Sequence, residues 1–263
     1  MSAPAPSIPD HAVRGALYLV PSTLDFGVSQ QVPLSKVLPA HTLQVAASLQ
    51  HWVCENAKST RAFLKRVHEH YPLAVALQAQ DIQELPHEVH KKGDHTGAFD
   101  ARNLLKPALL GHDVGLISEA GMPAVADPGS SVVRAAHMLG LRVVPLVGPV
   151  SLLLALAASG LNGQNFAFVG YLPQDAAQRG QRIRELESLA LKSGQTQLFI
   201  ETPYRNAAML ESLLHSLHPM TRLAISSGLT LAGAQIRSDT AQAWKQRPSA
   251  LDKNTPAVFA IGA

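Results

Sequence analysis

"GLISEAGMPAVADPGSSVVRAAHMLGLRVVPLVGPVSLLLALAASG" (Gly115–Gly160) contains two short apolar runs, GLIS and RVVPLV, with the length and composition of buried strands. Each run ends in a loop rich in glycine and proline. Each loop then leads into a helix-like pattern, SSVVRAAHMLG in the first case and SLLLALAASG in the second. Strand, loop and helix repeated in this order predict a parallel α/β topology.

The same alternation extends towards the N-terminus. GALYLV is a buried-strand candidate that stops at Pro21, and TLQVAAS and LAVALQAQ predict two further strands. ENAKSTRAFLKRVHEHY predicts a helix, because its apolar residues fall near one face. Residues 81–99 are polar and weakly patterned, so we expect mostly loop there.

The length of 263 residues is natural for two domains. We expect a flexible tail at residues 1–14, an N-terminal α/β domain at 15–148 and a C-terminal α/β domain at 149–263. After Gly160, helical patterns alternate with four strand candidates, which are NFAFVGYLP, QTQLFIETP, TRLAISSGL and TPAVFAIG. This alternation predicts a second α/β domain.

The composition excludes several classes of protein. Hydrophobic residues make up 46% and charged residues 16% of the chain, which allows a large core. A single cysteine excludes an intramolecular disulfide and a cysteine-cluster metal site, so we expect no metal. No stretch has the pattern of a signal peptide or a membrane span, and we expect a soluble, cytoplasmic protein without membrane contact. The net charge of +3 permits an anionic partner.

The loops after GLIS, RVVPLV and the first strand predict the ligand site. In an open parallel sheet, ligands bind beyond the carboxyl ends of the strands. None of these loops has a phosphate-binding signature. A nucleoside without phosphates, such as adenosine with a sulfonium tail, suits glycine and proline loops that let the main chain approach closely. The alternative, that these residues only turn the chain, stays open.

These segments also carry a family resemblance. GLISEAGMPAVADPG, RVVPLVGPVSLLLALAASGL, FVGYLP, LFIETPYR and PAVFAIG together resemble the tetrapyrrole methylase superfamily. Their order and spacing are similar to its branch that methylates a ribose 2′-hydroxyl of a cytidine in small-subunit ribosomal RNA. The resemblance covers residues 15–263.

The resemblance implies S-adenosylmethionine as methyl donor, two α/β domains with a ligand cleft between them, and a homodimer. Carried over position by position, it implies a set of donor-binding residues. These are Pro21, Ala120, Gly121, Met122, Val150, Ser151, Glu201, Thr202, Pro256 and Ala257.

The chain departs from the branch on the acceptor side. Its first loop is PSTLDFG, whereas the first loop of the branch usually reads like Pro-Thr-Pro-Ile-Gly-Asn. Its segment ENAKSTR stands where the branch has Glu-Asp-Thr-Arg. Glu55 and Lys58 lie three residues apart in the proposed helix and are the candidate catalytic pair. They would prepare an acceptor hydroxyl or grip a phosphate, with a surface ion pair as the alternative. We expect Asp127 to cap the helix that follows it, with a role in catalysis as the alternative.

The leading hypothesis is therefore a methyltransferase that uses S-adenosylmethionine and acts on a ribose 2′-hydroxyl of ribosomal RNA. Two alternatives stay open. One is C-methylation of a tetrapyrrole, a porphyrin precursor, which the same fold accommodates. The other is a protein that binds S-adenosylmethionine without catalysis, which the altered first loop and ENAKSTR would suit.

Overall fold

The chain forms two compact units. The computed structural model describes residues 13–25, 28, 30–92, 94, 99–248 and 250–263, with the backbone alone at residues 90–92. The first unit comprises Pro33–Pro149 and the described residues up to Thr23. The second comprises Val150–Ala263 and the described part of Leu24–Val32. The expected tail lies almost wholly outside the described residues.

The first unit is built on a parallel sheet. Its strands, in the part of the chain that the structure describes, are β1 (Ala16–Leu19), β2 (His51–Cys54), β3 (Asp81–Glu84), β4 (Val114–Ile117) and β5 (Arg142–Pro145). Their order across the sheet is β3-β2-β4-β1-β5, and every neighbouring pair is parallel. All the carboxyl ends therefore lie on one edge. Because β1 lies between β4 and β5, the loops after these three strands are neighbours.

Helices cover both faces of this sheet, as a parallel sheet requires. They are α1 (Ala40–Ser48), α2 (Ala57–His68), α3 (His87–Lys92), α4 (Lys106–Leu109) and α5 (Ser130–Met138). On one face Leu43 and Leu64, from α1 and α2, pack in a core with Trp52 of β2. On the other face Val132 of α5 packs in a core with Leu17 of β1.

The second unit contains a mixed sheet. Its described strands are β6 (Phe166–Tyr171), β7 (Thr196–Glu201), β8 (Arg222–Ser227), β9 (Gln235–Thr240) and β10 (Ala257–Gly262), in the order β6-β7-β10-β8-β9. Only β6 and β7 are parallel to each other among these pairs. The C-terminal strand β10 is therefore central, and it pairs with β7 on one side and β8 on the other.

The helices of the second unit again lie in two layers. They are α6 (Ser151–Ser159), α7 (Ala176–Ser193), α8 (Asn206–Ser216) and α9 (Ala241–Gln246). Helix α6 packs Leu152 and Leu156 against one face of the sheet. Ile183 of α7, Leu213 of α8 and Trp244 of α9 belong to the core on the other face. Within the described residues, no helix is both long and apolar enough to cross a membrane.

Several assignments of secondary structure from the sequence are wrong. TLQVAAS lies in α1, where Leu43, Ala46 and Ala47 are buried at helical spacing. LAVALQAQ contains a 3-10 turn at Leu77–Ala79 in place of a strand. The polar region 81–99 contains β3 and α3. Strand β3 is polar because it is an edge strand, held by main-chain hydrogen bonds to β2, so its hydropathy gives little signal.

Candidate active site

The three glycine- and proline-rich loops of the first unit contact one another. The Ser22 N–H donates to the Gly121 carbonyl at 2.9 Å, and the Gly121 N–H donates to the Thr23 carbonyl at 3.4 Å. A Cβ atom added to Gly148 would lie 2.3 Å from Pro21 Cγ. The loops after β1, β4 and β5 therefore form one continuous surface at the carboxyl edge, which includes the predicted residues Pro21 and Gly121.

The loop after β4 has an unusual main-chain conformation. Gly121, Ala124 and Ala126 all have positive φ angles, of 71°, 64° and 65°. Left-handed φ angles are costly for alanine, so the surrounding structure must hold them in place. Predicted donor-binding residues Ala120 and Met122 are half-buried on either side of Gly121.

The prediction that Asp127 caps the following helix is wrong. Helix α5 has Gly129 at its N-cap and no side-chain cap from that residue. The Asp94 carboxylate, from a distant segment, accepts hydrogen bonds from the Gly129 N–H at 2.6 Å and the Ser131 N–H at 2.8 Å. With these two donors already satisfied by Asp94, the carboxylate of Asp127 is available for another role.

The charges of two other acidic residues, Glu55 and Glu119, act on Asp127 at the carboxyl edge. The Glu55 carboxylate accepts a hydrogen bond from the Glu119 N–H at 3.2 Å, which links the segments after β2 and β4. Burial, and then the negative charges of Glu55 and Glu119, raise the pKa of Asp127 to about 7. Asp127 therefore gains and loses a proton near neutral pH, as a general base requires.

Glu55 and Lys58 do not share a helix face. Helix α2 begins at Ala57, because the Asn56 side chain caps it by accepting from the N–H groups of Lys58 and Ser59. Glu55 therefore precedes the helix, and the described contacts include no ion pair between Glu55 and the exposed Lys58. Asparagine is as good an N-cap as aspartate, so Asn56, where the family branch has Asp, retains the local structure.

The second unit brings together its own predicted residues. Glu201 at the end of β7 is the cross-strand partner of Ala257 at the start of β10. Pro256 accepts a long hydrogen bond, 3.4 Å, from the Gly228 N–H. Val150, the N-cap of α6, and Ile200 of β7 both pack against the core that contains Leu198. Thr202 and Ser151 follow Glu201 and Val150 directly, so the six predicted positions lie at the ends of neighbouring elements.

The Glu201 side chain is engaged within its own segment. Its side chain is 1% exposed, and its Oε1 atom accepts hydrogen bonds from the Thr202 N–H at 2.7 Å and from Arg205 at 2.6 Å. These contacts fix the turn after β7. Tyr204, which the sequence groups with Glu201 and Arg205, is 73% exposed. The geometry indicates that Glu201 positions the main chain of this turn.

The sequence did not indicate three further residues. Asn206 Oδ1 and Thr230 Oγ1, both in the second unit, are buried and lack a hydrogen-bond partner among the described residues. Thr230 also has a φ angle of 73°. Unpaired buried polar atoms cost free energy, and such atoms are uncommon in folded proteins. In the first unit, Asp94 was missed because its partners lie 35 and 37 residues away.

These features fit S-adenosylmethionine. In the first unit, carboxylates at the carboxyl edge attract a positively charged sulfonium, and Gly148 leaves no room for a side chain against Pro21. Burial raises the pKa of the Cys54 thiol to about 11, which makes it a poor nucleophile. The described residues contain no group of three or more potential metal ligands.

Comparison with known proteins decides the family. The model of the Tetrapyrrole (Corrin/Porphyrin) Methylases matches residues 41–244, more than half of the chain. The chain belongs to the tetrapyrrole methylase family. This membership confirms the predicted family, the methyltransferase class and the donor, S-adenosylmethionine.

Relatives of this tetrapyrrole methylase include several ribosomal RNA small subunit methyltransferases I. The protein of that name from Mesorhizobium japonicum is 31% identical over 93% of this chain and 74% of its own length. The Pseudomonas aeruginosa protein is 38% identical over 60% of this chain and 49% of its own length. The Vibrio cholerae protein is 34% identical over 52% and 46%. The chain thus spans about half the length of the latter two.

Comparison with solved structures confirms the predicted α/β fold class of this chain. A uroporphyrin-III-C-methyltransferase from Thermus thermophilus superposes with a TM-score of 0.51 over 95% of this chain and 94% of its own, at 18% identity. The methyltransferase CobJ gives a TM-score of 0.52 over 94% of both chains, also at 18% identity. At this identity the likeness concerns the fold alone.

Proposed function

We propose that this tetrapyrrole methylase transfers a methyl group from S-adenosylmethionine to a ribose 2′-hydroxyl of small-subunit ribosomal RNA. The observation that carries the proposal is the carboxyl edge of the first unit. There the loops after β1 and β4 are hydrogen-bonded through Gly121, and the negative charges of Glu55 and Glu119 act on Asp127. The name and identity of the curated relatives support RNA as the acceptor.

Residues of both units are proposed to bind the donor. When bound, S-adenosylmethionine supplies an electrophilic methyl group on a positively charged sulfur. We assign its binding to the ten positions implied by the resemblance. In the first unit these positions are Pro21, Ala120, Gly121 and Met122. In the second they are Val150, Ser151, Glu201, Thr202, Pro256 and Ala257.

The acceptor needs alignment and a place for its proton. As the ribose oxygen forms its bond to the methyl carbon, the carbon–sulfur bond breaks and the hydroxyl proton leaves. Asp127 takes that proton, because its pKa of about 7 matches neutral pH. Burial, and then the charges of Glu55 and Glu119, keep this pKa high. Lys58, exposed at the start of α2, contacts the acceptor. Alignment of such reactants contributes about 7–11 kcal/mol to lowering the barrier.

Labelled methyl donor tests the function directly. The chain is incubated with S-adenosylmethionine labelled in its methyl group and with small-subunit ribosomal RNA, and the RNA is digested to nucleosides. Label in a 2′-O-methylated nucleoside is the expected result. In a parallel incubation with a porphyrin precursor, label in that precursor and none in RNA would show that the acceptor is a tetrapyrrole and not RNA. If calorimetry shows binding of S-adenosylmethionine and of its demethylated product, but no methyl group reaches either acceptor, the protein binds the donor without catalysis.

We also propose that the protein is a homodimer, as the family resemblance implies, and that it is cytoplasmic. Ribosomal RNA, the proposed substrate, is found in that compartment. Light scattering coupled to size-exclusion chromatography measures the mass directly. A mass of one chain at micromolar concentration would contradict the dimer without bearing on the methyl transfer.

A further inference from the structure

One face of α2 carries a row of cations without acidic residues. Lys58, Arg61, Lys65 and His68 are all exposed, and the helix contains no Asp or Glu. At 100° per residue these four positions fall within about 80° of one another around the helix axis. We call these four residues the α2 basic row.

The three lysine and arginine side chains of the α2 basic row are unpaired. Among the described residues, Lys58, Arg61 and Lys65 form no ion pair or side-chain hydrogen bond. Arg66, on another side of the helix, differs, because it donates to Thr23 Oγ1 at 3.3 Å. Exposed cations without internal partners keep their full charge available for a ligand.

The α2 basic row begins at the candidate active site. Helix α2 follows β2 directly, so its N-terminus lies at the carboxyl edge beside Glu55. From there Lys58, Arg61 and Lys65 advance by about 4.5 Å and then about 6 Å along the axis, at 1.5 Å per residue. A polyanion with regularly spaced charges matches such a row.

The other basic helix, α7, differs because two of its cations have partners within the second unit. Its Arg179 donates to Ser212 Oγ at 2.9 Å and to the Gln174 carbonyl at 2.9 Å, and its Arg182 pairs with Glu185 at 3.1 Å. Two of its cations are thus satisfied within the second unit. Arg184 and Lys192 of α7 are exposed and unpaired among the described residues, but they lie eight positions apart.

We propose that the α2 basic row binds the phosphates of a single-stranded RNA segment whose ribose is methylated at the carboxyl edge. This inference rests on the proposed function, and it adds the path of the RNA. Lys58 contacts the phosphate beside the target ribose, and Arg61 and Lys65 contact the following ones. Binding of this kind is electrostatic and independent of base sequence.

Salt dependence of binding tests the proposal. A fluorescein-labelled single-stranded RNA oligonucleotide is titrated with the full chain in the presence of S-adenosylhomocysteine, between about 50 and 300 mM salt. The test variant is Arg61→Gln/Lys65→Gln. The control is Arg184→Gln/Lys192→Gln, which removes the same charge from exposed, unpaired positions of α7.

The expected result is a change in the test variant alone. Loss of two phosphate contacts lowers the slope of log K against log salt by about 1.4 for a single strand. The control keeps the wild-type slope, and both variants keep wild-type affinity for S-adenosylhomocysteine. An unchanged slope in the test variant, or an equal loss in the control, would overturn the proposal.

The outcomes separate this proposal from the proposed function. If wild type methylates RNA and the test variant binds RNA like wild type, the path of the RNA is wrong and the function stands. If the test variant weakens RNA binding as expected but wild type transfers no methyl group to RNA, the basic row stands and the function is wrong.

Discussion

The carboxylate of Glu55 accepts a hydrogen bond from the main-chain N–H of Glu119 at 3.2 Å. This bond joins the segments that follow β2 and β4, and it holds two acidic residues beside Asp127. The protonation of Asp127 consequently depends on the folded structure.

We expect the stability conferred by Asp127 to fall as the pH rises. Its pKa is about 7 in the folded chain against 3.8 ordinarily, so the folded state holds the proton more tightly. Its contribution is therefore fully present below about pH 4 and is lost as the pH rises through about 7. Asp127→Asn, which mimics the protonated acid, should nearly match wild type at pH 4 and exceed it by roughly 4 kcal/mol at pH 8.

Urea unfolding at several pH values measures this difference. Glu55→Gln is the matched variant, because loss of the neighbouring charge lowers the pKa of Asp127 and moves the transition to lower pH. A gap between Asp127→Asn and wild type that stays constant from pH 4 to pH 8 would refute the assignment. In the enzyme assay, kcat should rise through about pH 7 in wild type, and Asp127→Asn should lose this rise.

Gly148→Ala should weaken both folding and donor binding. The new methyl group would lie 2.3 Å from Pro21 Cγ and 2.5 Å from Pro21 Cβ, so the loops after β1 and β5 must separate. Overpacking of this kind costs about 1–3 kcal/mol. Calorimetry with S-adenosylhomocysteine and urea unfolding give the two readouts. Gly163→Ala is the control, since no atom lies within 4 Å of its added Cβ, and a similar loss there would argue against the steric explanation.

Arg205→Ala should destabilise the second unit by about 3 kcal/mol. Glu201, with its side chain 1% exposed, would remain as a buried charge without its partner at 2.6 Å. The double variant Glu201→Gln/Arg205→Ala removes that charge and should recover part of the loss. A double-mutant cycle on urea unfolding measures the coupling. Additive effects of the two changes would mean that the ion pair has no role in fixing the turn after β7.

Asp94→Ala should destabilise the first unit by about 1–2 kcal/mol, because the N–H groups of Gly129 and Ser131 lose their acceptor at the start of α5. Asp100→Ala serves as the comparison. Its carboxylate also accepts from a main-chain N–H, that of Arg102 at 3.1 Å, but it lies on the surface, where it pairs with the Arg102 side chain at 2.6 Å. Thermal unfolding should separate the two variants clearly, and equal midpoints would exclude the capping role of Asp94.

Local patterns in the sequence predicted much of the fold because they report burial directly. The run around Leu116 is apolar because β4 is buried on both faces, and Gly140 ends the helix after it, with a φ angle of 66°. Such patterns also predicted the three loops at the carboxyl edge. They failed for β3 and for α1, where an edge strand was polar and a short helix had the composition of a strand.

The sequence by itself determined the family, the alternation of strands and helices, and the loops that contact one another through Pro21, Gly121 and Gly148. Each of these follows from residues close together in the chain. Only the tertiary structure decided the roles of Asp94 and Asp127. The helix cap joins Asp94 to Gly129 across 35 residues, and the pKa of Asp127 depends on Glu55, far away in sequence. Electrostatic interactions and hydrogen bonds act through space, so their partners are set by the packed fold.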